Sequence, residues 1–303
     1  MTRIPPYLQK GDIIGIVAPA GYMPVEKMQN CIETFDAWGY TVDLGTTTHS
    51  QSQNYFSGTD DERLEDFQRM LDDKKIKAIL CARGGYGVSR IIDRINFKSF
   101  KKHPKWIIGF SDITVLHTHI LSNYKTASLH APMAAAFNET EMNPYLLSVK
   151  SAIEGEPANY ECAGHRFNRT GKAKGQLVGG NLSLLTHLIG TDSDFKTKNR
   201  ILFLEDVGEY LYNVDRLMIQ MKRSGKLDKL AGLVIGGFTE SKDTERPFGK
   251  EVYEIIHDHV KDYKYPVCFG FPVSHGRENY ALKVGQSYTL KLDTDTVSLT
   301  ENA

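Results

Sequence analysis

Four short stretches of the chain carry reactive residue types where a fold would expose them. The first, Lys105–Asp112, reads KWIIGFSD: an apolar run of strand type ends at Ser111, and DITVLHTHIL follows at helical spacing. A serine at a strand-to-helix turn stands above the sheet edge, where the next helix offers N–H groups and a positive dipole to an oxyanion. The same serine serves equally well as a helix N-cap, and GFSD is not the GxSxG of α/β-hydrolases. The second stretch, ARGGYG at residues 82–87, follows the strand-like KAILCA. Its glycines let the backbone take positive φ and approach a ligand, either to cradle a phosphate or to donate N–H to an oxyanion. It is not a G-x-x-x-x-G-K-[ST] phosphate loop, and an ordinary turn uses the same residues.

The third stretch, RILFLED, ends a strand on two adjacent carboxylates, Glu205 and Asp206. Neighbours in a strand point to opposite faces, so only one of them enters a given site; solvated strand-end acids are the other reading. The fourth, PVSHG, sets His275 in a loop framed by proline and glycine beyond the buried-type strand YPVCFGF. A histidine on such a frame is a good general base, although lone histidines are more often simply exposed. The remaining histidines do not assemble a metal site. His117/His119 and His257/His259 are i, i+2 pairs that diverge on a helix, and HExxH is absent, so no metal is expected.

These four stretches need strand ends gathered on one edge, and the first 130 residues supply that pattern. DIIGIVAPA is followed by VEKMQNCIETFDAWG, with Met28, Cys31, Ile32, Phe35 and Trp38 on one stripe and Gly39 closing the helix. YTVDLG is the next strand, and Thr59 with Glu62 form a capping box opening a helix that turns Leu64, Phe67 and Leu71 inward. KAILCA, WIIGF and ASLHA continue the alternation. The fold class expected is α/β: an N-terminal, mostly parallel α/β sandwich domain over residues 1–155, a linker at 156–170, and a second, mixed α/β domain rich in β-strands over 171–303. The terminal ALKVGQSYTLKLDTDTVSLT alternates with period two, as an antiparallel pair does.

Composition excludes several function classes. Thirty-seven basic side chains are balanced by thirty-seven acidic ones, so no global field draws the chain to nucleic acid or an anionic membrane. The opening MTRIPPYLQKGDIIGIVAPAG is not a signal peptide, and no apolar run reaches the length of a membrane span. Cys31, Cys81, Cys162 and Cys268 are scattered without CxxC spacing, which fits free thiols in a reducing compartment, the cytoplasm.

Taken together and in order, ARGGYG, GFSD, GGNLSLL, FLED and PVSHG resemble the LD-carboxypeptidase family of serine peptidases, which also contains microcin-immunity enzymes. The resemblance spans roughly residues 12 to 285. It implies Ser111 as nucleophile, Glu205 as orienting acid and His275 as base, with the backbone N–H groups of Asp112 and Gly85 as oxyanion hole. It further implies a role for Asn181 in GGN, leaves Arg83 as a clamp for a substrate carboxylate, and requires no metal or organic cofactor. The implied reaction is release of C-terminal D-alanine from murein tetrapeptides during cytoplasmic peptidoglycan recycling, by a protein that forms homodimers. Two alternatives stand beside it: an immunity-type amide hydrolase acting on a peptidyl-nucleotide, and a non-catalytic ligand-binding protein.

Overall fold

The computed structural model describes residues 2–138 and 143–302. The chain divides into two compact units: Met1–Glu156 with Tyr280–Lys283, and Pro157–Asn279 with Val284–Ala303. In the first, β1 (Ile13–Val17), α1 (Gln29–Ala37), β2 (Thr41–Leu44), α2 (Asp60–Asp72), β3 (Ile76–Cys81), α3 (Lys98–Lys102), β4 (Trp106–Gly109), α4 (Thr114–His119), β5 (Ser128–His130) and α5 (Pro144–Glu154) follow one another. The contacts β1–β2, β1–β3, β3–β4 and β4–β5 are all parallel, so every one of these strands ends on the same edge. Parallel strands covered on both faces must be apolar throughout, and Trp106–Gly109 is buried at every position.

The expected stripe of α1 is largely realised, with Met28, Cys31 and Phe35 fully buried and Ile32 and Trp38 packed partly buried against the same core. Helix α2 opens on the expected capping box, in which the Thr59 side chain accepts from the Glu62 N–H and the Glu62 carboxylate accepts from the Thr59 N–H. Its inward face differs from expectation. Phe67, Met70 and Leu71 are buried, but so are Arg63 and Asp66, whereas Leu64 is only half-buried. Arg63 goes inward on loop carbonyls and Asp60, and Asp66 on the Thr47 N–H and hydroxyl.

The second unit contains β6 (Asn159–Ala163), β7 (Gly171–Asn181), α6 (Leu182–His187), β8 (Ile201–Val207), α7 (Leu211–Arg223), β9 (Gly232–Thr239), α8 (Val252–Val260) and β10 (Val267–Phe269). The chain then returns to the first unit for β11 (Leu282–Val284), which lies beside β5, before β12 (Ser287–Leu292) and β13 (Thr296–Glu301) finish the second sheet. That sheet has the order β10-β9-β8-β7-β12-β13-β6. Strands β7 to β10 are parallel and β7–β12–β13–β6 antiparallel, giving the mixed, strand-rich layer expected. Residues 156–170, read from the sequence as a linker, contain β6, which pairs with β13 from Asn159↔Thr300 to Ala163↔Thr296.

Candidate active site

Ser111 follows β4 with a φ of 62°, in the left-handed region that residues bearing a Cβ rarely enter. This settles the choice between cap and exposed hydroxyl. A capping serine has extended backbone, and neither the single 3-10 turn Ser111–Ile113 nor α4 has a side-chain cap. The Ser111 hydroxyl has no hydrogen-bond partner among the described residues and stands half-buried on a strained turn between strand and helix. Beneath the turn, the His117 ring bridges the Ser128 Oγ and the Gly109 carbonyl oxygen, each at 2.8 Å, and burial pushes its pKa down to about 4. Neutral and bonded at both nitrogens, it ties β5 to the strand end that launches the turn.

The glycine loop lies against this serine. A Cβ at Gly84 would come within 2.8 Å of the Ser111 Cβ, 3.1 Å of its Oγ and 3.3 Å of the Asp112 nitrogen, so only glycine fits. The Gly84 carbonyl accepts from the Gly21 N–H at 3.0 Å, and in a planar trans peptide the Gly85 N–H must point the other way. That N–H has no acceptor among the described residues, and the Asp112 N–H, in the first turn of its helix, has no intrahelical one.

Two buried charges shape the loop from behind. The Asp112 carboxylate accepts from the Val88 N–H at 2.8 Å and from the Gly87 N–H; burial lifts its pKa to about 6, against the pull of these donors and of Arg63. Arg63, fully buried, donates to the carbonyls of Pro19 at 2.6 Å, Gly87 at 3.1 Å and Gly58 at 3.3 Å, and pairs with Asp60. Gly87 is thus held at its N–H by Asp112 and at its carbonyl by Arg63. Arg83, exposed, donates to the Tyr22 carbonyl at 2.7 Å.

In the second unit the parallel strands β7, β8 and β10 bring their ends to one edge. Glu205 on β8 is fully buried, and its Oε2 lies 2.5 Å from the His275 Nδ1. A bulge makes room for the pair: one β8 residue, Glu205, faces Gly236 and Gly237 of β9. Side chains there would meet the Val273 carbonyl at 2.2 Å and the Ser274 Cβ at 2.5 Å, so the two glycines let the histidine loop close down. Ser274 sets the loop's shape, accepting from the Gly276 N–H at 3.0 Å and donating to the Glu278 carbonyl at 2.8 Å. The His275 side chain keeps 14% of its surface exposed, although its Nε2 is itself buried, and the Glu205 side chain is wholly enclosed. Burial pushes the imidazole pKa down, but the Glu205 hydrogen bond and charge, with Asp206 and Glu240 adding, outweigh it and the net shift is upward.

Asp206 faces the other way, as strand alternation requires. It accepts from the Asn181 amide at 2.7 Å and from the N–H groups of Ser183 and Val207, each at 2.9 Å. Burial, then the charge of Glu205, raises its pKa to about 7 against those donors. Asn181 caps α6 by accepting from the Leu184 N–H at 3.1 Å, so both ends of its amide are engaged within the unit. Sequence reasoning did not find Arg63, the Asp112 carboxylate or His117. Only the turn serine's neighbourhood to GFSD and the capping box hinted that 63 and 112 lie near chemistry.

With this geometry in view, comparison with known proteins is informative. The LD-carboxypeptidase N-terminal domain model matches residues 14–131 and the C-terminal domain model residues 174–290. A probable murein peptide carboxypeptidase of Bacillus subtilis is 35% identical over 93% of this chain and 89% of its own. The murein tetrapeptide carboxypeptidase of Pseudomonas aeruginosa is 28% identical over 92% of each chain. Among solved structures, muramoyltetrapeptide carboxypeptidase from Oxalobacter formigenes superposes with a TM-score of 0.86 at 27% identity, covering 96% of this chain and 99% of that one. The microcin C7 self-immunity protein MccF of Escherichia coli is 25% identical over 97% of this chain and 94% of its own.

Proposed function

Because the chain belongs to the LD-carboxypeptidase family and is a serine carboxypeptidase, we propose that it releases the C-terminal D-alanine of murein tetrapeptides with Ser111 as its nucleophile. The observation that carries the reading is the Ser111 hydroxyl on its left-handed turn, flanked by the unspent N–H groups of Asp112 and Gly85.

In this mechanism the Glu205 carboxylate accepts the Nδ1 proton of His275, which leaves Nε2 as the basic nitrogen. His275 takes the Ser111 proton as the hydroxyl adds to the peptide carbonyl, and the Asp112 and Gly85 N–H groups receive the developing oxyanion. Collapse expels the D-alanine amine with the proton returned by His275. Water then adds to the acyl-enzyme by the same route, freeing the tripeptide and regenerating the serine. Arg83 suits the terminal carboxylate of the substrate, since its planar fork matches that group. The four thiols are free, which supports a reducing compartment and so a cytoplasmic recycling step. No described helix is long and apolar enough to cross a membrane. A homodimer is part of the same reading, and light scattering on the purified protein tests it.

The decisive experiment incubates the purified protein with murein tetrapeptide and follows products by mass spectrometry. Tripeptide and D-alanine should appear, unaffected by EDTA, and Ser111→Ala should lower kcat on the order of 10⁶-fold. Preferential cleavage of a peptidyl-nucleotide, or loss of activity to EDTA with recovery on zinc, would overturn the reading. A Ser111→Ala variant within about tenfold of the parent, against that expectation, would remove the nucleophile assignment.

A further inference from the structure

We propose that a cleft in the first unit, beside the glycine loop, is a carbohydrate subsite that takes the amino-sugar end of a muropeptide substrate; this deepens the murein reading above and rests on it. The cleft has a volume of about 710 Å³ and lies between residues 46–58 and the start of α2. That is within the range of about 300–1,000 Å³ usual for small-molecule sites.

Its lining is chemically selective. Phe56 is the one large apolar side chain in it, and apart from Gly58 its other lining residues carry hydroxyl, amide or charged groups. Its charges are mostly spent: Asp60 on Arg63 and Arg90, Glu62 on the capping box, and Asp61 on Arg94. The acids still disfavour an anion. What is left is a run of neutral hydroxyls and amides, and such groups both donate and accept, as the hydroxyls of a sugar do.

The floor is prebuilt and the rim is open. Thr47, buried, donates its hydroxyl to Asp66 at 2.6 Å and accepts from the Ala18 N–H at 2.9 Å, while the Ser57 hydroxyl is fixed on the Ala18 carbonyl. Above them, the Thr46 hydroxyl and the Asn54 amide have no partner among the described residues, and the Gln51 amide reaches only the His49 carbonyl at 3.5 Å. Rigid walls with unspent donors and acceptors at the mouth are a preorganised hydrogen-bonding site.

A chain of contacts leads from Phe56 in the cleft toward Ser111. Phe56 sits 5.3 Å from the Tyr55 ring and 5.9 Å from the Tyr86 ring, centroid to centroid. The Tyr55 hydroxyl would be 2.8 Å from a Cβ on Gly85, and Gly84 abuts Ser111. Tyr55 and Tyr86 are 57% and 46% exposed, two open aromatic faces along this path. In a muramoyl-peptide the sugar is joined to the amino end and the scissile bond lies at the other, so three residues, on the order of 11 Å of extended chain, separate the two.

The test compares a muramoyl-tetrapeptide with the free tetrapeptide in the wild type and in a Gln51→Ala/Asn54→Ala double variant. Wild type should favour the sugar-bearing substrate through KM, and in the variant the ratio of kcat/KM should fall on the order of tenfold, the worth of one or two hydrogen bonds. Equal kcat/KM for the two substrates in wild type, or an undiminished ratio in the variant, overturns the subsite. A second readout is independent of catalysis: the neutral disaccharide of two N-acetylglucosamine units should bind, by ligand-observed NMR, and the variant should weaken that binding. Disaccharide binding lost in the variant while neither tetrapeptide is cleaved sustains the subsite and overturns the carboxypeptidase reading instead. No disaccharide binding to wild type overturns the subsite alone.

Discussion

Replacing Ser111 with glycine should make the protein more stable than replacing it with alanine, although both variants lose the proposed nucleophile. Alanine keeps a Cβ on a backbone held at φ 62°, and a left-handed residue with a Cβ costs about 1–2 kcal/mol. Glycine removes that cost but adds about 0.4–1 kcal/mol of freedom to the unfolded chain. Ser111 is only half-buried, so little packing is lost with the methyl. The difference left is about 0.5–1 kcal/mol in favour of glycine, or about 2 °C in Tm for a unit of this size. Trp38 and Trp106, the two tryptophans of the chain, both lie in the first unit, so urea unfolding followed by tryptophan fluorescence reads the relevant transition directly. A glycine variant no more stable than the alanine variant would show that the turn stores no strain at this residue.

Four further outcomes are expected. Gly84→Ala, which drives a Cβ to 2.8 Å from that of Ser111, should cost about 1–3 kcal/mol of stability in urea titration and lower kcat as the loop moves off the serine. Arg63→Met strips three loop carbonyls of a buried donor and should destabilise by about 3 kcal/mol, with kcat falling although the residue touches no substrate. Because the base must be neutral and the His275 pKa is raised, the acid limb of the kcat/KM profile should lie above the ordinary histidine value of 6.5. Glu205→Gln should slow the enzyme and move that limb to lower pH, and an unmoved limb would mean another group titrates. Burial and the charge of Glu205 raise the folded pKa of Asp206 to about 7, well above the ordinary carboxylate range, so its contribution to stability is present at acid pH and lost as pH rises through 7. Asp206→Asn should flatten that slope in pH-dependent melting.

Much of the fold was legible because its signals are local. The strand KWIIGF is apolar at every position since both its faces are covered, and the serine, glutamate and histidine all stand where such strands end. What escaped depends on contacts between distant segments. An arginine in a helix ordinarily reads as solvated, and only the loop carbonyls of Pro19, Gly58 and Gly87 around it explain why Arg63 is inside while Leu64 is not. Asp112 looked like a helix-start acid, but its carboxylate reaches 24 residues back to the Val88 N–H. Strand β6 is polar on its outer face and short, so nothing in NYECA distinguishes it from a linker until β13 arrives beside it. The choice between Glu205 and Asp206 needed the partners themselves, because alternation says that the two diverge and not which one meets the histidine.

The return of Leu282–Val284 to the first sheet bears on how the protein is made. The ribosome delivers β5 about 150 residues before β11, which at about 5–20 residues per second is a delay of roughly eight to thirty seconds. Throughout that interval β5 is the edge of an unfinished sheet, its outer row of backbone groups open to any passing strand. The unit that carries Ser111 thus waits on nearly the whole of the other unit's synthesis before its own sheet is complete. Chains stalled or truncated anywhere between residues 131 and 281 share that open edge, and aggregation of such nascent fragments is the hazard this connectivity creates.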